Sequence, residues 1–298
     1  MKDIFILGSV NFDLTVHTDR MPQKGETACG KDFITNSGGK GANQAVAAAK
    51  LGGNVKLIGA IGNDFLGKEC LASLTKFGVD ATYVQHVGAN TGTATIIIEN
   101  GDNRIIIDHG ANFALDKDVV LRVIRDNVKS GDIFVTQLEI PTEIVEEGLS
   151  LAKQCGAITV LNPAPAVDVT DKMLANADYV IPNETEAQAI CGLLPCDLQD
   201  LQKVDIMLHE RGANNVLVTL GSNGCYYNGK IYPVANKVVA VDTTAAGDTF
   251  VGALAVCLAE GKDVANSIDF CQMASSLTVT RYGAQISIPY LEELDKIV

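Results

Sequence analysis

The sequence predicts an α/β fold: a doubly wound, mostly parallel sheet flanked by helices, with a small β-sheet lid. Three observations predict it. From Asp116 onward, short apolar runs of strand length alternate with segments of helical length, the rhythm of parallel strands joined by crossover helices. Polar clusters fall where those strands end, at residues 137–139, 162–165, 183–186 and 220–224, and open α/β sheets bind ligands at the carboxyl ends of their strands. Near the N-terminus, by contrast, several stretches alternate polar and apolar residues, as half-exposed strands do.

Residues 3–8 form an apolar run ending in Gly8, a buried strand. Residues 11–18 and 25–35 alternate and read as strands of the small sheet. Residues 37–44 are Gly-rich and open a helix that Gly52 and Gly53 close. Lys40 and Asn43 lie one turn apart on one face of it, and close backbone approach beside two polar side chains suits a polyhydroxyl ligand. Residues 55–62 are a strand. Residues 62–69 nearly match a P-loop, but Glu69 stands where that motif needs a hydroxyl for magnesium, so the P-loop reading is rejected.

Residues 91–99 and 103–108 read as a hairpin turning at Asn100-Gly101-Asp102. Helix 116–128 leads to strand 132–136, and helix 141–154 to strand 157–161. Strand 179–181 precedes helix 183–191, and helix 197–211 leads to strand 215–219. Strands follow near 225–227 and 231–234, with another running into Val241, then a helix from Ala246, a second over 263–279 and a loop at 281–285. No linker, repeat or low-complexity tract divides the chain. Residues 1–298 therefore read as a single domain, its lid built from about 11–36 and 91–108.

The formal net charge of −13 argues against nucleic acid or an anionic membrane as partner. No run is long enough to span a membrane, and the N-terminus turns polar too quickly for a signal peptide. The eight cysteines form no CxxC pair and read as buried apolar groups in a reducing, cytoplasmic setting. The four histidines show no metal-ligand spacing.

The chemistry concentrates in residues 242–248, Asp-Thr-Thr-Ala-Ala-Gly-Asp, which open the Ala-rich helix. Small residues at a helix start let a ligand reach the free N–H groups, and with the helix dipole these make an anion site. A carboxylate at its rim would repel a phosphate that was merely held. Asp248 makes sense if it accepts a proton from a hydroxyl attacking phosphorus. The plainer alternative is an ordinary cap.

Several motifs now stand in order: Asn11-x-Asp13, residues 38–43 (Gly-Gly-Lys-Gly-Ala-Asn), Asn162-Pro163-Ala164-Pro165, Asn183-x-x-Glu186, Thr219-Leu220-Gly221, residues 242–248 and Arg281-x-Gly283-Ala284-Gln285. Over nearly its whole length the chain resembles the ribokinase-type (PfkB) sugar kinases. The resemblance implies a lid that closes over a sugar and transfer of the ATP γ-phosphate to a primary hydroxyl, O5 of D-ribose. It implies that Asn11, Asp13, Gly39, Lys40, Asn43 and Glu139 grip the sugar, that Asp248 is the base, and that Ala245, Ala246 and Gly247 form the anion hole. It further implies that Asn183 and Glu186 face the phosphates and hydrated Mg2+, and that Thr219, Gly221, Gly224 and Gln272 surround the nucleotide. Asp242, Thr244, Thr278, Arg281, Gly283 and Ser287 would wrap a K+ ion. Many family members carry Gly where this chain has Ala245, and alanine is expected to be compatible with a helical start there. Residues 162–165 are expected only to end a strand. Free edges of the lid strands invite pairing with a second copy, hence a homodimer. The rivals are a sibling kinase for 2-deoxyribose, a hexose or a nucleoside, and a non-catalytic sugar- or nucleotide-binding protein. A dinucleotide oxidoreductase is disfavoured, because no GxGxxG follows an early strand.

Overall fold

The computed structural model describes residues 1–99, 102–235 and 237–296. The chain begins with β1 (Asp3–Leu7), β2 (Asn11–Thr18), β3 (Lys31–Gly38), α1 (Lys40–Lys50), β4 (Asn54–Gly62), α2 (Phe65–Lys76), β5 (Asp80–Val87), β6 (Gly92–Glu99) and β7 (Asp102–Asp108). A short 3-10 turn, Gly110–Ala114, leads into α3 (Lys117–Asn127), β8 (Ile133–Thr136), α4 (Thr142–Gln154), β9 (Ile158–Leu161), α5 (Asp171–Asn176), β10 (Tyr179–Val180), α6 (Glu184–Cys191) and α7 (Leu198–Glu210). Then come β11 (Leu217–Thr219), β12 (Cys225–Tyr227), β13 (Lys230–Tyr232), α8 (Ala246–Ala259), α9 (Val264–Thr278) and α10 (Leu291–Leu294).

The main sheet runs in the order β10-β9-β8-β1-β4-β5, and every neighbouring pair is parallel. The first strand is thus internal. The chain winds outward from it through β4 and β5, then returns to β8 and winds the other way. That reversal leaves a crevice beside the carboxyl end of β1. Parallel bridges Val180–Val216 and Asn183–Thr219 hang β11 on the β10 side, and β11-β12-β13 continue as an antiparallel meander. β1, β8 and β9 are apolar on both faces because both are covered. Ile4, Ile6 and Val135 face a core shared with α1, α8 and α9, whereas Phe5, Leu7 and Phe134 face one shared with α3, α4 and α7.

The second sheet has the order β3-β2-β6-β7, with β2 and β6 parallel and the outer pairs antiparallel. β2 starts four residues after β1 ends, so this sheet rises directly from the crevice. Its two halves are the pairs β2–β3 and β6–β7, which come from two separate early stretches of the chain.

Two structures differ from the sequence reading. The strand expected over 25–35 is Lys31–Gly38 instead. Gly25 takes a left-handed φ of 83° and Glu26 N–H donates to the Gln23 carbonyl, so this stretch turns before it can pair. No strand runs into Val241; the N–H groups of Val241 and Asp242 both donate to the Val279 carbonyl at the end of α9 (2.7 and 3.2 Å). β5, α5 and α10 went unpredicted. Of the expected turn at 100–102, Asn100 and Gly101 lie outside the described residues.

The placement of α1 and α8 fixes the site. Gly39, at the cap of α1, has φ 89°, and a Cβ there would stand 2.7 Å from the Asn11 nitrogen. Within α8, a Cβ on Gly252 would stand 2.6 Å from the Ala47 methyl and 2.8 Å from the Gln44 carbonyl oxygen. Without these side chains the two helices pack backbone to backbone, and their N-termini meet over the crevice.

Candidate active site

Asp248 lies in the first turn of α8, buried at 8% exposure. Two side chains of α1 reach it. Asn43 Nδ2 donates to its Oδ2 at 3.0 Å, and Gln44 Nε2 donates to its Oδ1 at 3.1 Å. Burial raises its pKa, while the Lys40 charge and the two amide donors pull it back. Asn43 Oδ1 is buried without a partner among the described residues. A buried acceptor left unpaired is costly, and a hydroxyl delivered by a ligand would satisfy it.

Beside Asp248 opens a cavity of about 210 Å³ lined by Lys40, Asn162, Asn183, Glu186, Thr219, Thr243 and the 245–248 turn. It joins a larger groove of about 700 Å³ through Asn183, Thr219, Thr243, Ala246 and Gly247, which border both. Gly221, Gly224, Phe250, Gln272 and Val238 line the groove further out. The small polar cavity leads into a partly apolar groove, as phosphates joined to a nucleoside would require.

On the other side of Asp248 stand the side chains of β2 and the segment after β8. Glu139 Oε2 accepts from Ser9 Oγ at 2.6 Å, from Lys40 N at 3.1 Å and from Asn11 Nδ2 at 3.4 Å. Asn11 is oriented in turn by Asn112, whose Nδ2 donates to Asn11 Oδ1 at 2.7 Å. Asp13 faces this group with no hydrogen-bond partner among the described residues. Burial, then the charges of Glu139 and Asp248, push its pKa up to about 7. An unpaired carboxylate beside an orphaned amide oxygen makes a cup suited to a molecule rich in hydroxyl groups.

The predicted residues come together in two groups. Asn11, Asp13, Gly39, Asn43, Glu139 and Asp248 converge, but Lys40, expected to grip the sugar with them, lines the small polar cavity. Burial opposes its charge, yet Asp248, Glu139 and Glu186 outweigh that and hold its pKa above the usual lysine value. Asn183 and Glu186 border the cavity and also form a capping box: Asn183 Oδ1 accepts from Glu186 N, and Glu186 Oε2 from Asn183 N, both at 2.8 Å. Gln272 borders the groove, but its Nε2 donates to the Tyr232 carbonyl at 2.7 Å.

Two expectations are corrected. Ala245 is not helical; its φ of 61° is left-handed, a conformation that costs an L-residue about 1–2 kcal/mol and that glycine adopts freely. Ala246 N–H donates to the Thr243 carbonyl at 3.3 Å, whereas the N–H groups of Gly247 and Asp248 have no recorded partner among the described residues. Asn162 does more than end a strand. It borders the cavity, its Nδ2 donates to the Ile181 carbonyl (2.8 Å), and its Oδ1 accepts from Gln44 (3.0 Å). Gln44 and Asn162 were the residues sequence reasoning missed. The signal available was a buried amide in an Ala-rich helix and an Asn at the end of an apolar strand.

A carbohydrate-kinase family model, described as pfkB family carbohydrate kinase, matches residues 1–291. The chain belongs to the pfkB family of carbohydrate kinases. It is 40% identical to the ribokinase of Schizosaccharomyces pombe, covering 99% of this chain and 97% of that protein. It is 35% identical to a deoxyribokinase of Salmonella typhi, covering 99% and 98%. A solved structure of Arabidopsis thaliana ribokinase complexed with ribose and ATP superposes with a TM-score of 0.92 at 33% identity, covering 99% of this chain and 98% of that one. The carbohydrate-kinase architecture expected from the sequence is therefore the one this protein has.

Proposed function

We propose that this kinase transfers the γ-phosphoryl group of ATP to O5 of D-ribose, giving ribose 5-phosphate. The observation that carries the reading is the position of Asp248, bonded to Asn43 between the hydroxyl-accepting cup and the phosphate-sized cavity. The sugar hydroxyl attacks the γ-phosphorus and its proton passes to Asp248. Burial makes that carboxylate a stronger base than a free aspartate. The free N–H groups at the start of α8, with Lys40, offset the charge on the moving phosphoryl group. The sheet β3-β2-β6-β7 would act as the lid and close the cup against water.

A coupled ADP-release assay over ribose, 2-deoxyribose, fructose, adenosine and pseudouridine tests the reading. Ribose is expected to give the highest kcat/KM. The deoxyribokinase relative makes 2-deoxyribose the second reading, but a sugar lacking one hydroxyl would leave Asp13 unpaired in the closed site. Higher kcat/KM on any of the other acceptors would overturn the assignment.

Two ions belong to the proposal. Among the described residues no cluster of three His, Cys, Asp or Glu could hold a metal, which suits Mg2+ carried by the nucleotide phosphates with Glu186 and Asn183 nearby. When bound it would neutralise phosphate charge. For K+, we assign Asp242, Thr244, Thr278, Arg281, Gly283 and Ser287. Asp242 Oδ2 accepts from Gly283 N at 2.9 Å, joining the two loops. Among the described residues no donor is recorded for the carbonyls of Thr244, Arg281 or Gly283, and such oxygens suit a large monovalent cation. Activity is expected to rise when K+ replaces Na+ at constant ionic strength; equal rates would remove the ion from the account.

The lid also supports a homodimer in the cytoplasm. Phe33 and Ile106 on its edge strands are 66% and 67% exposed, more apolar surface than an edge normally leaves free. Sedimentation is expected to give twice the chain mass, and Phe33→Lys with Ile106→Lys to give the monomer. A monomeric parent protein would refute this. Eight free cysteines fit a reducing compartment, which labelling of the thiols in cell extracts would check.

A further inference from the structure

We propose that Gln44 is a positioning residue that dedicates one oxygen of Asp248, Oδ2, to receive the sugar proton. The proposal rests on the kinase reading and adds to it.

Gln44 is fully buried in α1, and all its polar atoms are engaged. Its Nε2 donates to Asp248 Oδ1 (3.1 Å) and to Asn162 Oδ1 (3.0 Å), and its Oε1 accepts from Gln137 Nε2 (2.6 Å). Amide orientations are usually ambiguous, because oxygen and nitrogen can be exchanged. Here the chain has a fixed end. The backbone carbonyl of Ile181 can only accept, so Asn162 must present Nδ2 to it (2.8 Å). Asn162 Oδ1 must then accept, and Gln44 must donate. Its oxygen must face Gln137. Rotating the Gln44 amide would set oxygen against both Asn162 Oδ1 and Asp248 Oδ1, two repulsive contacts among buried groups.

The consequence falls on Asp248. Its Oδ1 always meets a fixed N–H, so a proton there is disfavoured. Oδ2 meets Asn43, and that amide is not locked, because its own Oδ1 lacks a partner. Asn43 can therefore yield Oδ2 to the incoming hydroxyl, whereas Gln44 cannot yield Oδ1. Asn162 also borders the phosphate-sized cavity. One buried string of amides thus holds the plane of the base relative to the wall that faces the phosphoryl group. Gln137 closes the string: its Oε1 has no partner among the described residues, so the string ends there.

Gln44→Met keeps the length of the side chain and removes its hydrogen bonds. It is expected to lower kcat roughly 10- to 100-fold, the scale of a misplaced catalytic group, with KM for ribose and ATP changed less than about threefold. The acid limb of the kcat/KM profile is expected to move to higher pH, because the charged form of Asp248 loses a donor. Gln137→Met, at the far end of the string, is expected to shift the same limb in the same direction by less. A kcat within twofold of the parent, or a loss of kcat with the acid limb unmoved, overturns the positioning role. If Gln44→Met does not fold, Gln137→Met decides: a moved limb supports the role and an unmoved limb overturns it. A parent protein that releases no ADP with ribose would instead overturn the kinase reading itself, so the two failures are distinguishable.

Discussion

Asp248→Asn is expected to lower kcat with ribose by 10²-fold or more while the affinity for ATP stays within about twofold. General-base contributions commonly span 10²–10⁴-fold, and this carboxylate stands in the first turn of the helix that carries the free N–H groups of the cavity wall, held there by Asn43 and Gln44 of α1. Asparagine preserves the shape and can still meet Asn43 and Gln44, but with one oxygen only. One amide must then face another nitrogen. The loss should appear in kcat and kcat/KM together, the pattern of an interaction made in the transition state. On the proposed reading ATP occupies the groove lined by Gly221, Gly224, Phe250 and Gln272, which the substitution does not touch. Isothermal titration with a non-hydrolysable ATP analogue separates the two effects. Turnover near that of the parent would show that the hydroxyl needs no carboxylate.

The parts of the fold that were legible were those whose sequence signal is local. Buried parallel strands such as Phe134 to Thr136 read as unbroken apolar runs because both faces are covered. The outer strand Asp80–Val87 went unseen: its neighbour β4 lies on one side only, and alternate positions carry polar groups. The strand expected to run into Val241 failed for a related reason. Its apolar residues exist to meet a groove and the end of α9, not a neighbouring strand. The site divided in the same way. Asn43 and Lys40 sit in a Gly-rich helix start and Asp248 in one made of small residues, and both mark themselves. Gln44 and Asn162 act through partners 204 and 118 residues distant along the chain, and neither has a local pattern that distinguishes it from a core residue. Ala245 shows the opposite limit. Its identity suggested a helical start, but the turn between Asp242 and the free N–H groups of α8 has Ala245 at a left-handed φ.

Asp13→Asn is expected to cripple sugar use and, in the absence of sugar, to stabilise the protein at neutral pH. Both effects follow from one carboxylate that has no hydrogen-bond partner among the described residues. Burial, Glu139 and Asp248 raise its pKa to about 7, from 3.8 in the absence of those influences. Between those values the folded chain holds a proton that the unfolded chain has released. Stability without ligand therefore declines as pH rises from about 4 to about 7, and the decline is complete above that. At about 1.36 kcal/mol per pH unit the limit is about 4 kcal/mol. Water reaching the open cup reduces the realised part to about 1–2 kcal/mol. Asparagine cannot ionise, so the variant lacks the decline, and its Tm at pH 8 is expected to exceed the parent's by roughly 3–5 °C. Ribose reverses the ranking. A carboxylate accepting from two neighbouring hydroxyls makes two charge-assisted bonds, each worth about 1.5–3 kcal/mol, so KM for ribose is expected to rise at least 100-fold with KM for ATP unchanged. The same titration gives the parent a pH signature: ribose affinity should strengthen between pH 6 and pH 8 as Asp13 ionises, and the variant's should not. Thermal melts with and without ribose across that range measure the stability and affinity changes, and initial rates with ribose and ATP varied in turn measure the two KM values. If the variant melts below the parent at pH 8 without sugar, the carboxylate is supporting the fold and its assignment to the sugar cup is wrong.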